Sequence, residues 1–552
     1  MSFRQHDFES NEPNKEDIAM KLNEKSLAKG AVWREAGFKI PEYNRASVCA
    51  ATRKAPMWVH FGAGNLFRAF LAPCHQQLLN AGLTDRGITV ADNADMVGKI
   101  FHAHDELSLA VSLCPDGTIE KEVVGSIAEA VCLREDAVRL KEIFCQPSLQ
   151  MVSFTITEKG YRLLDMSGKY TEDVAHDRMV GPEFCVSYMG RIAALLHARY
   201  KAGAFPIAMV SMDNCSHNGD RLKASLLDFA QAWHEKGLCE EGFLKYMSNP
   251  ARVSFPWSMI DKITPRPDAT VREMLQACGF EDVEDIVTCR GTYVAPFVNA
   301  EKCQYLVIED TFPNGRPPLE KAGIYFTDRE TVKRAERMKV CTCLNPLHTA
   351  LAIFGCLLGF NKINEEMKDA DLVAMIRRIG YVEGLPMVDD PGILSPRAFL
   401  DEVIEKRFPN PFLPDTPQRI ACDTSQKIPV RFGETLKSYM IRGDMSQLKL
   451  IPFVFAGWCR YLMGVDDAGQ PFEVSPDPML DSLKKILGDV KLGDQPREGI
   501  LEKIYSNAEI FGVDLYSTCL GKQVEADFWD MVQGPGMVRK CLQKKLAEMS
   551  DR

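Results

Sequence analysis

The stretch MWVHFGAGNLFRAFLAPCHQQLLNAGLTDRGITVAD, residues 57–92, decides the fold. MWVHF (57–61) is a short apolar run ending at a glycine, the pattern of a buried strand. RAFLAPCHQQLLNAG (68–82) has apolar residues at helical spacing and closes on a glycine, and GITVAD (87–92) is strand-like again. Strand, helix and strand in that order form a βαβ unit of a parallel sheet.

GAGNLFR fills the first turn of this unit, where a dinucleotide loop has three glycines. Gly62 permits the tight turn, Gly64 lets a pyrophosphate approach the backbone, and Asn65 follows at the helix start. Phe67 stands where the third glycine is expected and implies a wider approach of helix to strand, while Arg68 adds a cation where a phosphate would sit. A tight strand-to-helix turn with no ligand explains the two glycines equally well. The second strand ends at Asp92, where a carboxylate accepts hydrogen bonds from adenosine ribose hydroxyls and repels a 2′-phosphate, favouring NAD over NADP. It lies 30 residues after Gly62, beyond the usual separation of roughly 20, and Asp95 competes for the role.

LAVSLC (109–114), LQMVSFTIT (149–157), PIAMVSMD (206–213) and QYLVIED (304–310) are further strand candidates, with helical segments between several of them. The expectation is an α/β chain, a Rossmann-type doubly wound amino-terminal domain followed by a mostly α-helical one. TFPNGRPPLEKAG (311–323) is crowded with Pro and Gly, and strand-like runs become rare beyond it. The predicted organisation is a loose arm over 1–20, an NAD-binding domain over 21–325 and a helical substrate and catalytic domain over 326–552. A length of 552 residues with 46% hydrophobic and 26% charged residues suits more than one core.

The net charge of -10, from 66 basic and 76 acidic residues, gives no field to hold a polyanion, so neither nucleic acid nor membrane surface is an expected partner. Ala350–Phe360 is about half the apolar length that a bilayer needs. No export signal opens the chain, and 18 scattered cysteines fit a reducing compartment, which predicts a cytoplasmic protein. Cys341 and Cys343 are too close for a zinc knuckle and none of the ten histidines forms an HExxH pair, so no metal is expected.

A dehydrogenase without a metal needs a base for the alcohol proton and donors for the developing alkoxide. ERMKVCTCLNPLHTALAIFGCLLGF (336–360) sets Lys339, Asn345 and His348 on an apolar background, with Glu336 one helical turn before the lysine. For an isolated lysine the plain alternative is a snorkelling side chain. VSMDNCSHNGD (210–220) follows a strand and puts Asp213 and Asn214 near the carboxyl edge of the sheet, where open α/β folds bind ligands. An Asx-type turn with a helix cap explains the same cluster, and both can hold at once.

Taken together, HFGAGNLFRAF (60–70), FTITEKGY (154–161), SMDNCSHNGDR (211–221), FPWSMIDKITP (255–265), VIEDTFPNGRPPLE (307–320), MKVCTCLNPLHTAL (338–351) and RIACDTSQKIP (419–429) resemble the long-chain polyol dehydrogenase family of mannitol dehydrogenases and mannonate oxidoreductases. The resemblance implies a Rossmann-type domain, a helical domain and an active site in the cleft between them. It assigns the general acid/base to Lys339, the oxyanion-binding asparagines to Asn214 and Asn345, and substrate orientation to His348. Asp261 is implied to line the same site, and Thr157 and Glu158 the cofactor edge.

Two departures stand out. Five residues separate Lys339 from Asn345 where the family has four, and Pro346 follows the asparagine. Proline suits a first helical turn, so Asn345 is expected to cap a helix that starts at Pro346, with a local bulge restoring the geometry. Arg419 and Lys427 can clamp a sugar-acid carboxylate, though they can equally bind sugar hydroxyls or cofactor phosphate. The expected activity is NAD-dependent interconversion of D-mannonate and D-fructuronate, with fructose/mannitol as the alternative substrate pair and a catalytically silent NAD-binding protein as the alternative of another class. The partner implied is a small sugar acid or polyol, and the sequence assigns no oligomeric state.

Overall fold

The computed structural model describes residues 20–289, 291–497 and 499–548; all but Met20 of the arm expected over 1–20 lies outside the described residues. Two compact units make up the chain, Met1–Cys114 with Thr118–Thr327 and Pro115–Gly117 with Asp328–Arg552.

In the first unit, six parallel strands are labelled in chain order: β1 (Trp58–Phe61), β2 (Ile88–Asp92), β3 (Ile127–Cys132), β4 (Met151–Phe154), β5 (Ile207–Ser211) and β6 (Val253–Ser254). Their order across the sheet is β3-β2-β1-β4-β5-β6, that of a doubly wound dinucleotide fold. The register follows from Val59 opposite Thr89 on one side and Val152 on the other.

Both faces are covered, as an all-parallel sheet requires. Trp58, Val90, Met151 and Val210 face one apolar cluster with Phe67, Phe70 and Leu78. Val59, Phe61, Val152, Phe154 and Met209 face the other, with Leu226, Phe229 and Trp233. The period of two in each strand therefore divides one apolar run between two cores.

The remaining strands lie outside this sheet. Ser108–Leu113 forms a hairpin with Ile119–Val124 in a four-stranded sheet completed by Phe38–Lys39 and Phe297–Glu301. Tyr305–Glu309 pairs antiparallel with Ser258–Asp261 and parallel with Tyr325–Thr327. The expected strands at 109–114 and 304–310 thus exist but extend other sheets.

The second unit is helical. Its longest helical run, Arg329–Leu357, has the length and apolarity to cross a membrane, yet 83% of its most apolar window is buried. The run is a core element. Its carboxyl half packs on Leu450–Leu462, every residue of which is buried, and Phe354 stacks on Phe453 at 5.2 Å between ring centroids.

A buried carboxylate starts that central helix. Glu383, 1% exposed, accepts hydrogen bonds from the backbone N–H groups of Lys449 (2.8 Å), Leu450 (2.7 Å) and Ile451 (2.8 Å). These are donors that a helix cannot satisfy internally, and a negative charge there also meets the helix dipole. Glu383→Ala leaves two buried N–H groups and a half-buried one without this partner and is expected to cost about 3 kcal/mol, read from the urea unfolding midpoint.

Candidate active site

The carboxyl edge of the six-stranded sheet is joined by side chains that bond to neighbouring strand ends. After β1, Gly62 adopts φ +96°, and a Cβ there would lie 2.3 Å from the carbonyl oxygen of Thr155. Only glycine fits. The Thr155 hydroxyl donates to the Gly62 carbonyl at 2.7 Å, which ties the ends of β1 and β4 together. Asp92, closing β2, accepts from Ala63 N–H (2.6 Å) and Asn93 N–H (2.7 Å), so its carboxylate sits directly against the glycine turn. The competing Asp95 is committed to Lys99 at 2.8 Å and to the Cys289 N–H. Gly64 is exposed, and a Cβ there would meet nothing within 4 Å.

Phe67, where the dinucleotide pattern has glycine, is wholly buried and stacked on His60 with centroids 4.1 Å apart, and the helix accommodates it with a π turn, Phe67–Leu71. Burial also withdraws Arg68 from the edge, since its guanidinium donates to the Ala295 carbonyl (2.7 Å) and to Asn65 Oδ1 (3.3 Å). It braces the turn from within rather than offering a cation to phosphate. Asn65 is held in turn by the Pro265 carbonyl at 3.3 Å.

Beyond β4, Thr157 has φ +64°, the only β-branched residue in the left-handed region among the described residues. Such a conformation costs about 1–3 kcal/mol and persists where surrounding contacts enforce it. Here the Thr157 N–H donates to Asp213 Oδ1 at 2.8 Å, and the Ile156 N–H to Oδ2 at 3.0 Å. Glu158 pairs with Arg221 (2.9 Å) and Arg162 (3.7 Å). Asn214, next to Asp213, is exposed at the same edge. No side-chain cap starts the following helix Asn218–Glu235; instead Asn218 stitches the Asp213 carbonyl to Ser258. Asp261, 7% exposed, ends the strand Ser258–Asp261.

In the helical unit, Lys339 (3% exposed), Asn345 and His348 lie on one run. Arg329–Met338 continues into a π turn, Lys339–Cys343, closed by the Leu344 N–H to Lys339 carbonyl bond of 3.1 Å, and Asn345–Leu357 follows. An i to i+5 bond takes up one extra residue, so the bulge expected from the sequence is this turn. Pro346 occupies the first turn as expected; the capping position is Leu344, whereas Asn345 is already the first helical residue.

His348 sits among cations. Burial first, then the charges of Arg431, Arg419, Arg407 and Lys427, push its imidazole down to about 3, so it is neutral. Its Nε2 lies 3.4 Å from Asp415 without hydrogen-bond geometry, and its ring packs against Phe408. Arg419 pairs with Asp415. Lys427 donates to the Ile420 carbonyl at 3.0 Å, and Arg431 to the Thr349 hydroxyl and the Asn345 carbonyl. Burial and Arg431 hold the Lys427 ammonium below its ordinary value, and burial alone brings Arg431 to about 10.

The sequence reading passed over Arg431, although it lies one turn after Lys427 on the helix Thr424–Arg431, and over Arg407 and Asp415, which no motif marks. Among the described residues, no group of three or more His, Cys, Asp and Glu side chains is placed to share a metal ion.

The two loop glycines are expected to respond differently to the same substitution. Gly62→Ala drives a Cβ into backbone at positive φ and should destabilise by roughly 3 kcal/mol, whereas Gly64→Ala should stay within about 0.5 kcal/mol of the parent by urea unfolding.

The mannitol dehydrogenase Rossmann domain model matches residues 56–321, and the mannitol dehydrogenase C-terminal domain model matches residues 331–530. D-mannonate oxidoreductase of Thermotoga maritima is 49% identical over 535 residues, 95% of this chain and 99% of that protein. Mannitol 2-dehydrogenase of Cereibacter sphaeroides is 30% identical, over 80% of this chain and 87% of its own length. Among solved structures, the Pseudomonas fluorescens mannitol 2-dehydrogenase ternary complex with NAD and D-mannitol superposes with a TM-score of 0.66 at 26% identity, covering 97% of this chain and all of that one. A doubly wound sheet followed by a helical unit, matched along nearly its whole length, makes this chain a member of the mannitol dehydrogenase family of oxidoreductases.

Proposed function

We propose that this protein is an NAD-dependent oxidoreductase interconverting D-mannonate and D-fructuronate, with Lys339 as general acid and base. In this reading residues 21–325 hold the cofactor and residues 326–552 carry the substrate. The observation that carries the sugar-acid assignment is the cation cluster around His348, in which, among the described residues, Lys427 and Arg431 hydrogen-bond only to neutral oxygens, Asp423 acting on Lys427 from a distance. A substrate carboxylate adds a direct countercharge, and a guanidinium fork matches its two oxygens. The name of the Thermotoga maritima relative, 49% identical, supports the same substrate.

The edge around Gly62, Gly64 and Asp92 supports a dinucleotide. Gly64 leaves room for a pyrophosphate against the backbone, and Asp92 is anchored at the glycine turn with its carboxylate directed to that edge. Bound NADH supplies the hydride. Asn214 and Asn345 donate to the ketone oxygen as negative charge develops there, a contribution realised in the transition state. Lys339 delivers the proton that makes the alcohol, and its neutral amine takes that proton back in the oxidative direction. Neutral His348 orients the sugar hydroxyls, and Asp261, Arg419 and Lys427 complete substrate binding. Thr157 and Glu158 lie at the cofactor edge.

The second reading, reduction of fructose to mannitol, is favoured by the relatives and the solved structure that bear the name mannitol 2-dehydrogenase.

NADH consumption measured with fructuronate, tagaturonate and fructose separates these readings. Fructuronate should give the highest kcat/KM; preference for fructose would replace the assignment, and no turnover of any sugar would mark a catalytically silent NAD-binding protein. Lys339→Ala should lower kcat by about 10²- to 10⁴-fold, and near-parental turnover at saturation would remove the lysine from its role. Arg431→Met should raise KM for fructuronate by about 10- to 100-fold, the cost of a charge-assisted bond, with a much smaller effect on any residual activity toward fructose.

A further inference from the structure

The carboxylate of Asp213 is 6% exposed, and among the described residues every hydrogen bond it accepts comes from an uncharged donor. Oδ1 takes the Thr157 N–H; Oδ2 takes the Ile156 N–H and the Tyr161 hydroxyl, the latter at 2.5 Å. Tyr161 is itself fixed, with its hydroxyl 2.8 Å from Ser211 Oγ and its backbone carbonyl accepting from Ser225 at 2.6 Å. Two successive amides thus converge on one carboxyl group with a phenol beside them, and both of its oxygens serve as acceptors. The conformation thereby enforced is the left-handed one at Thr157, which a β-branched residue does not adopt unaided. Asp213 also immediately precedes Asn214 in the chain. One side chain at the end of β5 therefore sets both the turn after β4 and the starting point of the loop that carries the asparagine.

We propose that Asp213 is a positioning residue whose carboxylate latches the Ile156–Thr157 turn in its strained form, presenting the cofactor edge and orienting Asn214. The inference rests on the proposed function, in which Thr157, Glu158 and Asn214 face cofactor and substrate. The strain gives the latch its test, because glycine adopts a φ near +60° without help. Asp213→Asn turns one acceptor into a donor facing N–H or O–H groups. Thr157→Gly in that background restores the turn without restoring the carboxylate.

The experiment uses the full chain and two readouts. Hydrogen exchange on the cofactor-free protein follows the Ile156 and Thr157 amides, and a fluorescence titration measures the Kd for NADH. Asp213→Asn should speed exchange at both amides and raise the Kd about tenfold or more, the effect of losing a charge-assisted bond. Adding Thr157→Gly should recover most of that affinity. Tyr161→Phe, which removes one donor and leaves the carboxylate, should shift Kd in the same direction by less, and it stands in if Asp213→Asn does not fold.

A variant that loses thermal stability but keeps the parental Kd would overturn the latch and leave Asp213 a purely structural residue. Failure of Thr157→Gly to rescue, or Tyr161→Phe with parental exchange and Kd, would overturn it as well. If the parent itself does not bind NADH, the cofactor reading fails and this role falls with it. The amide exchange then still reports whether the turn is held by the carboxylate, which keeps the two failures apart.

Discussion

Parallel strands that end at a common edge leave their last backbone groups without ladder partners, and buried groups of that kind must find them elsewhere. In this protein the partners are side chains from neighbouring strand ends. Asp92 of β2 serves the turn after β1, the Thr155 hydroxyl after β4 serves Gly62, and Asp213 after β5 serves the turn after β4. Each loop is thus shaped by the strand beside it. The chain of bonds crosses from β1 to β4, where the strand order reverses direction and an open α/β sheet leaves a crevice for a ligand. Hydrogen-bond satisfaction and ligand geometry therefore depend on the same atoms, and the strain at Thr157 persists because its amide and that of Ile156 are both held by the buried Asp213 carboxylate.

The helical unit meets a different constraint, the rotation that accompanies each residue of a helix. One extra residue between Lys339 and Asn345 in a regular α-helix would swing Asn345 and His348 about 100° around the axis. The π turn Lys339–Cys343 holds one more residue than an α-helical turn and so takes up most of that rotation before Asn345. Pro346 then falls in the first turn of the following segment, where its missing N–H costs least. Arg431 reaches the same junction by donating to the Asn345 carbonyl and the Thr349 hydroxyl. In the first unit another π turn, Phe67–Leu71, accommodates the bulk of Phe67 where the dinucleotide pattern has glycine.

What was legible in the sequence follows from these forces. β1, β2, β4 and β5 are buried on both faces and therefore read as apolar runs, while β3 contains Glu129, paired with Arg139, and β6 has only two residues. Tyr305–Glu309 was legible as a strand, but periodicity does not name a strand's partner, and it joined a separate sheet. Gly62 was legible because only one residue type tolerates its conformation. Arg68 misled, since a cation in a first helical turn looks the same in sequence whether it faces solvent or the Ala295 carbonyl. The cations beyond Arg419 and Lys427 went unread because Arg407 is close to them only in the folded chain, and Arg431 lies past Pro429, which in sequence looks like the end of a helix.

That cation cluster is costly to maintain. Withdrawing a charge from water is unfavourable unless an opposite charge replaces the lost hydration, and neutral carbonyl or hydroxyl oxygens replace only part of it. The lowered values of Lys427 and Arg431 express this cost, and so does the neutral state of His348, which cannot accept a proton beside four positive groups. Asp415 offsets one of the cations through its pairing with Arg419. The Asp423 charge partly offsets Lys427, whereas Arg431 has only a carbonyl and a hydroxyl as hydrogen-bond partners among the described residues. A carboxylate would relieve Lys427 and Arg431 together while leaving His348 neutral and able both to donate and to accept hydrogen bonds. It is in this sense that the electrostatics of the helical unit suit the acidic sugar of the proposed function.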